Sequence, residues 1–86
     1  MSWRVVLAKS AEKQLRRLPL TERSRVASAI DVLGSNPFGG DVVKLAGKGN
    51  AWRLRVGNYR IIFELFPKEK VLFIYDIARR TSSTYK

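Results

Sequence analysis

Apolar and polar positions alternate most clearly from Ala51 to Phe66. Trp52, Leu54 and Val56 are separated by Arg53 and Arg55, and Tyr59, Ile61, Phe63 and Leu65 resume the alternation after Gly57-Asn58. A period of two with a two-residue Gly-Asn turn predicts a β-hairpin that collects its apolar side chains on one face. With Val56 opposite Tyr59, Arg55 falls opposite Arg60, and Arg53 lies two residues further along the outward face. Like charges opposed across a sheet are destabilising, and a bound anion would relieve them; a solvated, charged sheet face is the competing interpretation of the same residues.

The rest of the chain supports this hairpin. Trp3-Arg4-Val5-Val6-Leu7 predicts a short strand with Trp3, Val5 and Leu7 inward. Ser10 is placed to cap a helix with Ala11, Leu15 and Leu18 inward, stopped by Pro19. Thr21 is placed to cap a second helix whose Val26, Ile30 and Leu33 share a face and which Gly34 closes. Ser35-Asn36-Pro37-Phe38-Gly39-Gly40 predicts a loop anchored on the core by Phe38, and Val42, Val43 and Leu45 a brief strand. Gly47-Lys48-Gly49 lacks the spacing and following helix of a phosphate loop, so a turn is expected there. The apolar run Val71–Ile77 predicts a middle strand covered on both faces. The expected architecture is a single α+β domain over residues 1–86: an N-terminal strand and a two-helix hairpin packed on a mainly antiparallel twisted sheet, β-α-α-β-β-β with the brief Val42–Leu45 strand in addition.

Charge sharpens this picture. The 86 residues carry 17 Lys and Arg against 7 Asp and Glu, a net charge of +10. Residues 44–86 hold +7 of it and residues 1–43 only +3, which puts the electrostatic footprint on the strand half and the tail Ala78–Lys86. A polyanion is the expected partner, with nucleic acid ahead of a membrane surface because the basic residues do not line a long amphipathic helix. With neither cysteine nor histidine, no disulfide framework, zinc site or other cofactor is expected. No apolar run has transmembrane length and the start does not read as a secretory signal, so a cytoplasmic location without membrane contact is expected.

The early strand, the helical hairpin broken at Leu18-Pro19, Asn36-Pro37 after Leu33, the segment Trp52-Arg-Leu-Arg-Val-Gly-Asn-Tyr-Arg-Ile-Ile-Phe and the Arg-rich tail ending in Tyr85 together resemble the RelE/ParE superfamily of toxins from bacterial and archaeal type II toxin-antitoxin modules. RelE-like members are ribosome-dependent mRNA endonucleases, whereas ParE-like members poison DNA gyrase. The resemblance implies a metal-independent mRNA interferase that inhibits translation, working with mRNA at the ribosomal A site and held by an acidic RelB-like antitoxin. A gyrase inhibitor and a non-catalytic RNA-binding module are the alternatives. It also implies a catalytic set of Arg60, Arg55, Tyr85 and a tail arginine, Arg80 or else Arg79, with Arg53 in the basic pair; Arg53, Arg79, Lys44 and Lys48 are the expected RNA-phosphate contacts.

These residue types suit the reaction. Cleavage of RNA through its own 2′-hydroxyl needs a base, donors for the charge growing on the phosphate, and a proton for the leaving 5′-oxygen. Arginine's planar fork matches the non-bridging oxygens, so Arg60, aided by Arg55, is the expected transition-state donor. Tyr85 is the expected base or base relay, its phenolate favoured by nearby guanidiniums. RelE itself carries lysines where Arg53 and Arg55 stand, and arginine is a poor proton shuttle. Glu64 and Asp76 are the fallback carboxylate bases.

Overall fold

The computed structural model describes residues 3–39, 41–45 and 49–79. Along them run β1 (Arg4–Leu7), α1 (Lys9–Arg16), α2 (Leu20–Ser35), β2 (Val42–Lys44), β3 (Ala51–Val56), β4 (Tyr59–Phe66) and β5 (Val71–Arg79). The strands form one sheet in the order β1-β5-β4-β3-β2. Only the β1–β5 pair is parallel; the others are antiparallel. Both helices therefore stand between the parallel partners in sequence, and the three antiparallel pairings follow from short connections.

The hairpin has the register its alternation predicts. Trp52 pairs with Phe63, Leu54 with Ile61, Val56 with Tyr59 and Arg55 with Arg60. Gly57 takes a φ of +56° at the first turn position, where a β-carbon would be strained. One face of the sheet carries Leu54, Tyr59, Ile61, Phe63, Leu65, Leu72, Ile74 and Ile77, all buried, and packs against Ala11 of α1 and Val26, Ile30 and Leu33 of α2. Burying a side chain such as Phe63 or Ile61 stabilises the fold by roughly 1.5–3 kcal/mol, so this face is where the chain's cohesion lies.

Several local expectations are corrected. Ser10 does not cap α1: the helix begins two residues earlier than such a cap implies, at Lys9 behind Ala8, and Ser10 sits within the first turn. Thr21 does not cap α2 either, because the fixed φ of Pro19 already provides the extended entry and the helix starts at Leu20. Gly34 does not close α2 but lies inside it, which runs to Ser35. Its missing side chain serves packing, since a β-carbon there would come within 3.0 Å of Val5 Cγ2. Phe38 is 60 % exposed, its ring in edge-on contact with Trp52, centroids 5.5 Å apart. Strand β5 is central, as expected, but its second face is only half-buried at Phe73 and Tyr75, because both helices pack on the other side.

A register shift interrupts the β4–β5 ladder. Ile62 pairs with Asp76 and Phe63 with Ile74, so Tyr75 is the extra residue of a bulge. Gln14 of α1 closes the gap: its Oε1 accepts the Ile77 N–H at 2.8 Å and its Nε2 donates to Asp76 Oδ1 at 2.9 Å. A buried backbone donor released by the bulge is thus satisfied from the helix.

Candidate functional site

Residues directly opposite one another across a sheet share a face. Ala51, Arg53 and Arg55 of β3 pair with Glu64, Ile62 and Arg60 of β4, and all six project away from the helices. The bulge aims Tyr75 into the same neighbourhood. A cavity of about 430 Å³ opens there, lined by Leu45, Ala51, Arg53, Arg60, Ile62 and Tyr75. It has a cationic end at the arginines and an apolar floor at Ile62 and Ala51.

Arg60 is the most informative residue in it. Its Nε is buried and has no hydrogen-bond partner among the described residues. An unpaired buried donor costs about 1–3 kcal/mol, and an oxyanion entering the cavity would supply the missing acceptor. Arg55, opposite Arg60, is turned partly outward, where its Nη2 meets Asp41 Oδ2 at 3.2 Å. Arg53 lines the cavity. The structure thus brings together Arg53, Arg55 and Arg60 on one face, as the hairpin register predicts.

Other expected contributors fall elsewhere. Lys44 pairs with Trp52 and therefore faces the helical side of the sheet, its Nζ 5.8 Å from the centre of the indole ring. Arg79 pairs with Tyr59 and shares that face too. These two do not join the arginine cluster, because the period of two assigns them to the opposite side. Lys48, Arg80 and Tyr85 lie outside the described residues. Of the two fallback carboxylates, Asp76 is engaged by Gln14 of α1, whereas Glu64 stands on the open face.

The pair missed in the sequence is Tyr75 with Glu64. The Tyr75 hydroxyl donates to Glu64 Oε1 at 2.5 Å, and its ring is steadied by an edge-on contact with Phe73, centroids 5.5 Å apart. The hydrogen bond to Glu64, then burial, then the Glu64 charge push the Tyr75 phenol up to about 12. At neutral pH Tyr75 is a fixed donor and not a base. Nothing in the run Val71–Ile77 signals the bulge that exposes it; the adjacent polar pair Tyr75-Asp76 inside an otherwise apolar stretch is the one available hint. On the helical face a matching pair does structural work. There the Tyr59 hydroxyl donates to Glu22 of α2, and this bond, reinforced by burial and by the Glu22 charge, raises the Tyr59 phenol against the opposing pull of Arg79.

Among the described residues no group of three His, Cys, Asp or Glu side chains could hold a metal ion, and no helix is long and apolar enough to cross a membrane. Residues 5–83 match the family described as ParE toxin of type II toxin-antitoxin system, parDE. The RelE1 protein of Methanocaldococcus jannaschii is 26 % identical over 83 residues, 93 % of this chain and 92 % of its own length. The crystal structure of the archaeal RelE–RelB complex from Pyrococcus horikoshii contains a chain 33 % identical, with a TM-score of 0.83 over 95 % of this chain and 99 % of that one. The isolated RelE toxin of E. coli has the same fold, with a TM-score of 0.84 at 18 % identity, over 96 % of this chain and 89 % of its own. With a family match over nearly the whole chain and the same five-stranded, two-helix architecture in these relatives, the chain belongs to the RelE/ParE superfamily and is a toxin of the type II toxin-antitoxin class.

Proposed function

We propose that this toxin is a RelE-like endoribonuclease that cuts mRNA on the ribosome and so arrests translation. The observation that carries this reading is the buried, unpartnered Arg60 Nε at the cationic end of an open cavity that Arg53 also lines, with Arg55 paired to Arg60 across the hairpin. In the proposed reaction the 2′-oxygen of a bound nucleotide loses its proton and attacks the adjacent phosphorus. The P–O5′ bond breaks, leaving a 2′,3′-cyclic phosphate, and the departing 5′-oxygen takes up a proton. Arg60 and Arg55 hold the non-bridging oxygens as charge builds on them, Arg53 adds phosphate binding, and no metal takes part. Tyr85 serves as base or relay, a role that rests on the family resemblance. Arg79 faces the helical side, which favours Arg80 as the tail arginine and leaves Lys48 as a further phosphate contact.

The partner is an acidic antitoxin of the RelB kind. RelE chains are seen with RelB in the Pyrococcus horikoshii complex and in the RelBE2 complex of Mycobacterium tuberculosis, and a net charge of +10 suits an acidic segment. A ParE-like gyrase inhibitor is the second reading, favoured by the description of the matching family.

Primer extension on cellular mRNA after brief expression of the toxin tests the proposal. Wild type should give discrete cleavage stops, and Arg60→Ala should reduce cleavage by about 10²- to 10³-fold, the scale of losing one transition-state donor. Growth arrest with intact mRNA and trapped gyrase–DNA complexes would instead establish the gyrase reading. A folded Arg60→Ala protein that cuts normally would remove Arg60 from the reaction.

A further inference from the structure

The open cavity holds more than phosphate chemistry requires. Its arginines occupy one end, yet its floor is Ile62 and Ala51, its rim is Leu45, and its β5 wall is the Tyr75 ring. Glu64, two residues beyond Ile62 on the same strand face and opposite Ala51, stands just beyond the lining at the end away from Arg60, its Oε1 2.5 Å from the hydroxyl of the lining Tyr75, where a carboxylate would repel a phosphate. Along β4 the α-carbons of Arg60 and Glu64 are roughly 13 Å apart at ~3.3 Å per residue. Ile62 lies midway between them on the same face, and the span is on the scale of a single nucleotide. Cation, apolar floor and carboxylate follow one another as phosphate, base plane and base edge do.

Resting on the endoribonuclease reading, we propose that this cavity seats one unstacked nucleotide of single-stranded RNA, its phosphate at Arg53 and Arg60 and its base over Ile62 and Ala51 beside Tyr75. Glu64, aimed by Tyr75, selects a base bearing an exocyclic amino group over uracil. An ionised carboxylate only accepts hydrogen bonds. The N4 amino group of cytosine or N6 of adenine donates to it, whereas uracil turns a carbonyl oxygen toward it at the corresponding position. Tyr75 takes up one lone pair on Glu64 Oε1 and leaves acceptor capacity on both oxygens. The bulge at Tyr75 provides this aim, since a regular ladder would give Tyr75 a direct partner on β4 and a different direction.

Cytidine and uridine differ at this edge by amino against carbonyl and little else, so they make the sharpest probe. Uncleavable 2′-O-methyl oligocytidine and oligouridine of equal length are titrated by fluorescence anisotropy against the full-length toxin at one fixed salt concentration. Wild type should bind oligocytidine about tenfold tighter, the discrimination expected of one well-made base-edge contact. Glu64→Gln keeps an oxygen for Tyr75 and gains an amide donor suited to the uracil carbonyl, so the preference should vanish or reverse while affinity for oligouridine holds or rises. Tyr75→Phe keeps the ring and frees Glu64, so the preference should narrow with total affinity retained. Arg60→Ala should weaken both ligands alike. Equal binding of the two ligands by wild type, or a preference that survives Glu64→Gln, overturns the base subsite and leaves the endoribonuclease proposal standing. If neither oligonucleotide binds even at low salt, the base subsite is overturned, while the endoribonuclease proposal is decided separately by the primer-extension stops.

Discussion

Tyr59 and Tyr75 make the same bond, a phenol donating to a glutamate, on opposite faces of one sheet, and the two environments show how a small toxin divides its labour. Tyr59 is buried, and its partner Glu22 belongs to α2, so the bond fastens helix to sheet beside the hairpin turn. Tyr75 is half-buried, its partner lies on the neighbouring strand, and its ring borders a cavity with an unpaired guanidinium nitrogen. Alternation along β4 places Tyr59, Ile61, Phe63 and Leu65 on the first face and Arg60, Ile62 and Glu64 on the second. Cohesion and chemistry are interleaved residue by residue, and a one-residue slip would exchange them.

The largest effect should come from pitting the two faces against each other directly. Phe63, fully buried on the helical face, should cost about 3–5 kcal/mol of stability on truncation to alanine, and activity should fall only because the protein unfolds. Arg60→Ala, three residues away on the open face, should shift stability by less than about 1 kcal/mol, since lost packing is offset by removing a buried unpaired donor. Denaturant titrations of the two variants beside their cleavage activities check this. An Arg60→Ala protein as unstable as Phe63→Ala would mean that the open face also holds the fold together.

This division explains what could be read from the sequence. The hairpin register, and with it the Arg53–Arg55–Arg60 cluster, follows from strict alternation around a Gly-Asn turn, a local signal that tertiary structure had no reason to override. The inward sides of both helices follow likewise from the spacing of Ala11 and Leu15 and of Val26, Ile30 and Leu33. Helix starts were misjudged where a capping hydroxyl competed with chain entry behind Ala8 and Pro19. Lys44 and Arg79 lie on the helical side of the sheet, because the face each takes is set by its register against the neighbouring strand, Lys44 against Trp52 and Arg79 against Tyr59. The cavity's other half depends on the bulge at Tyr75, which exists through Gln14, a residue 61 positions earlier whose amide satisfies the displaced backbone. No local pattern carries such a contact.

A smaller difference between the faces should appear in alkali. Both phenols have folded-state values above the ordinary 10.0, that of Tyr75 at about 12. Above pH ~10 the unfolded chain therefore releases phenolic protons that the native state retains, and native stability must fall as pH rises toward the folded values. Each tyrosine's contribution is complete below pH ~10, so the two phenylalanine variants should both flatten the alkaline decline. Both variants should also lower the melting temperature at pH 7, where each contribution is complete, and Tyr59→Phe should lower it more because Tyr59 ties a helix to the sheet. Thermal melts across pH 7–11 separate the cases, and a Tyr75→Phe protein with an unchanged alkaline slope would show that the Glu64 bond does not hold in solution.

The smallest effect concerns Arg55, which stands between repulsion and attraction on the open face. Its opposition to Arg60 costs roughly 0.2–1 kcal/mol. Its ion pair with Asp41, between side chains 51 % and 63 % exposed, returns about 0–1 kcal/mol. The two nearly cancel, so Arg55→Ala should leave stability within about 0.5 kcal/mol of the parent while cleavage falls with the loss of a phosphate donor. Asp41→Asn removes only the attraction and should be slightly less stable than the parent at low salt, a deficit that fades as chloride screens the exposed charges. Sulfate should stabilise the parent more than Arg55→Ala, because an anion shared by the paired guanidiniums binds only the folded state. If sulfate stabilises both proteins equally and Arg55→Ala unfolds markedly earlier at low salt, Arg55 holds the Asp41 loop in place and the open face has lost one of its three anion donors to the fold.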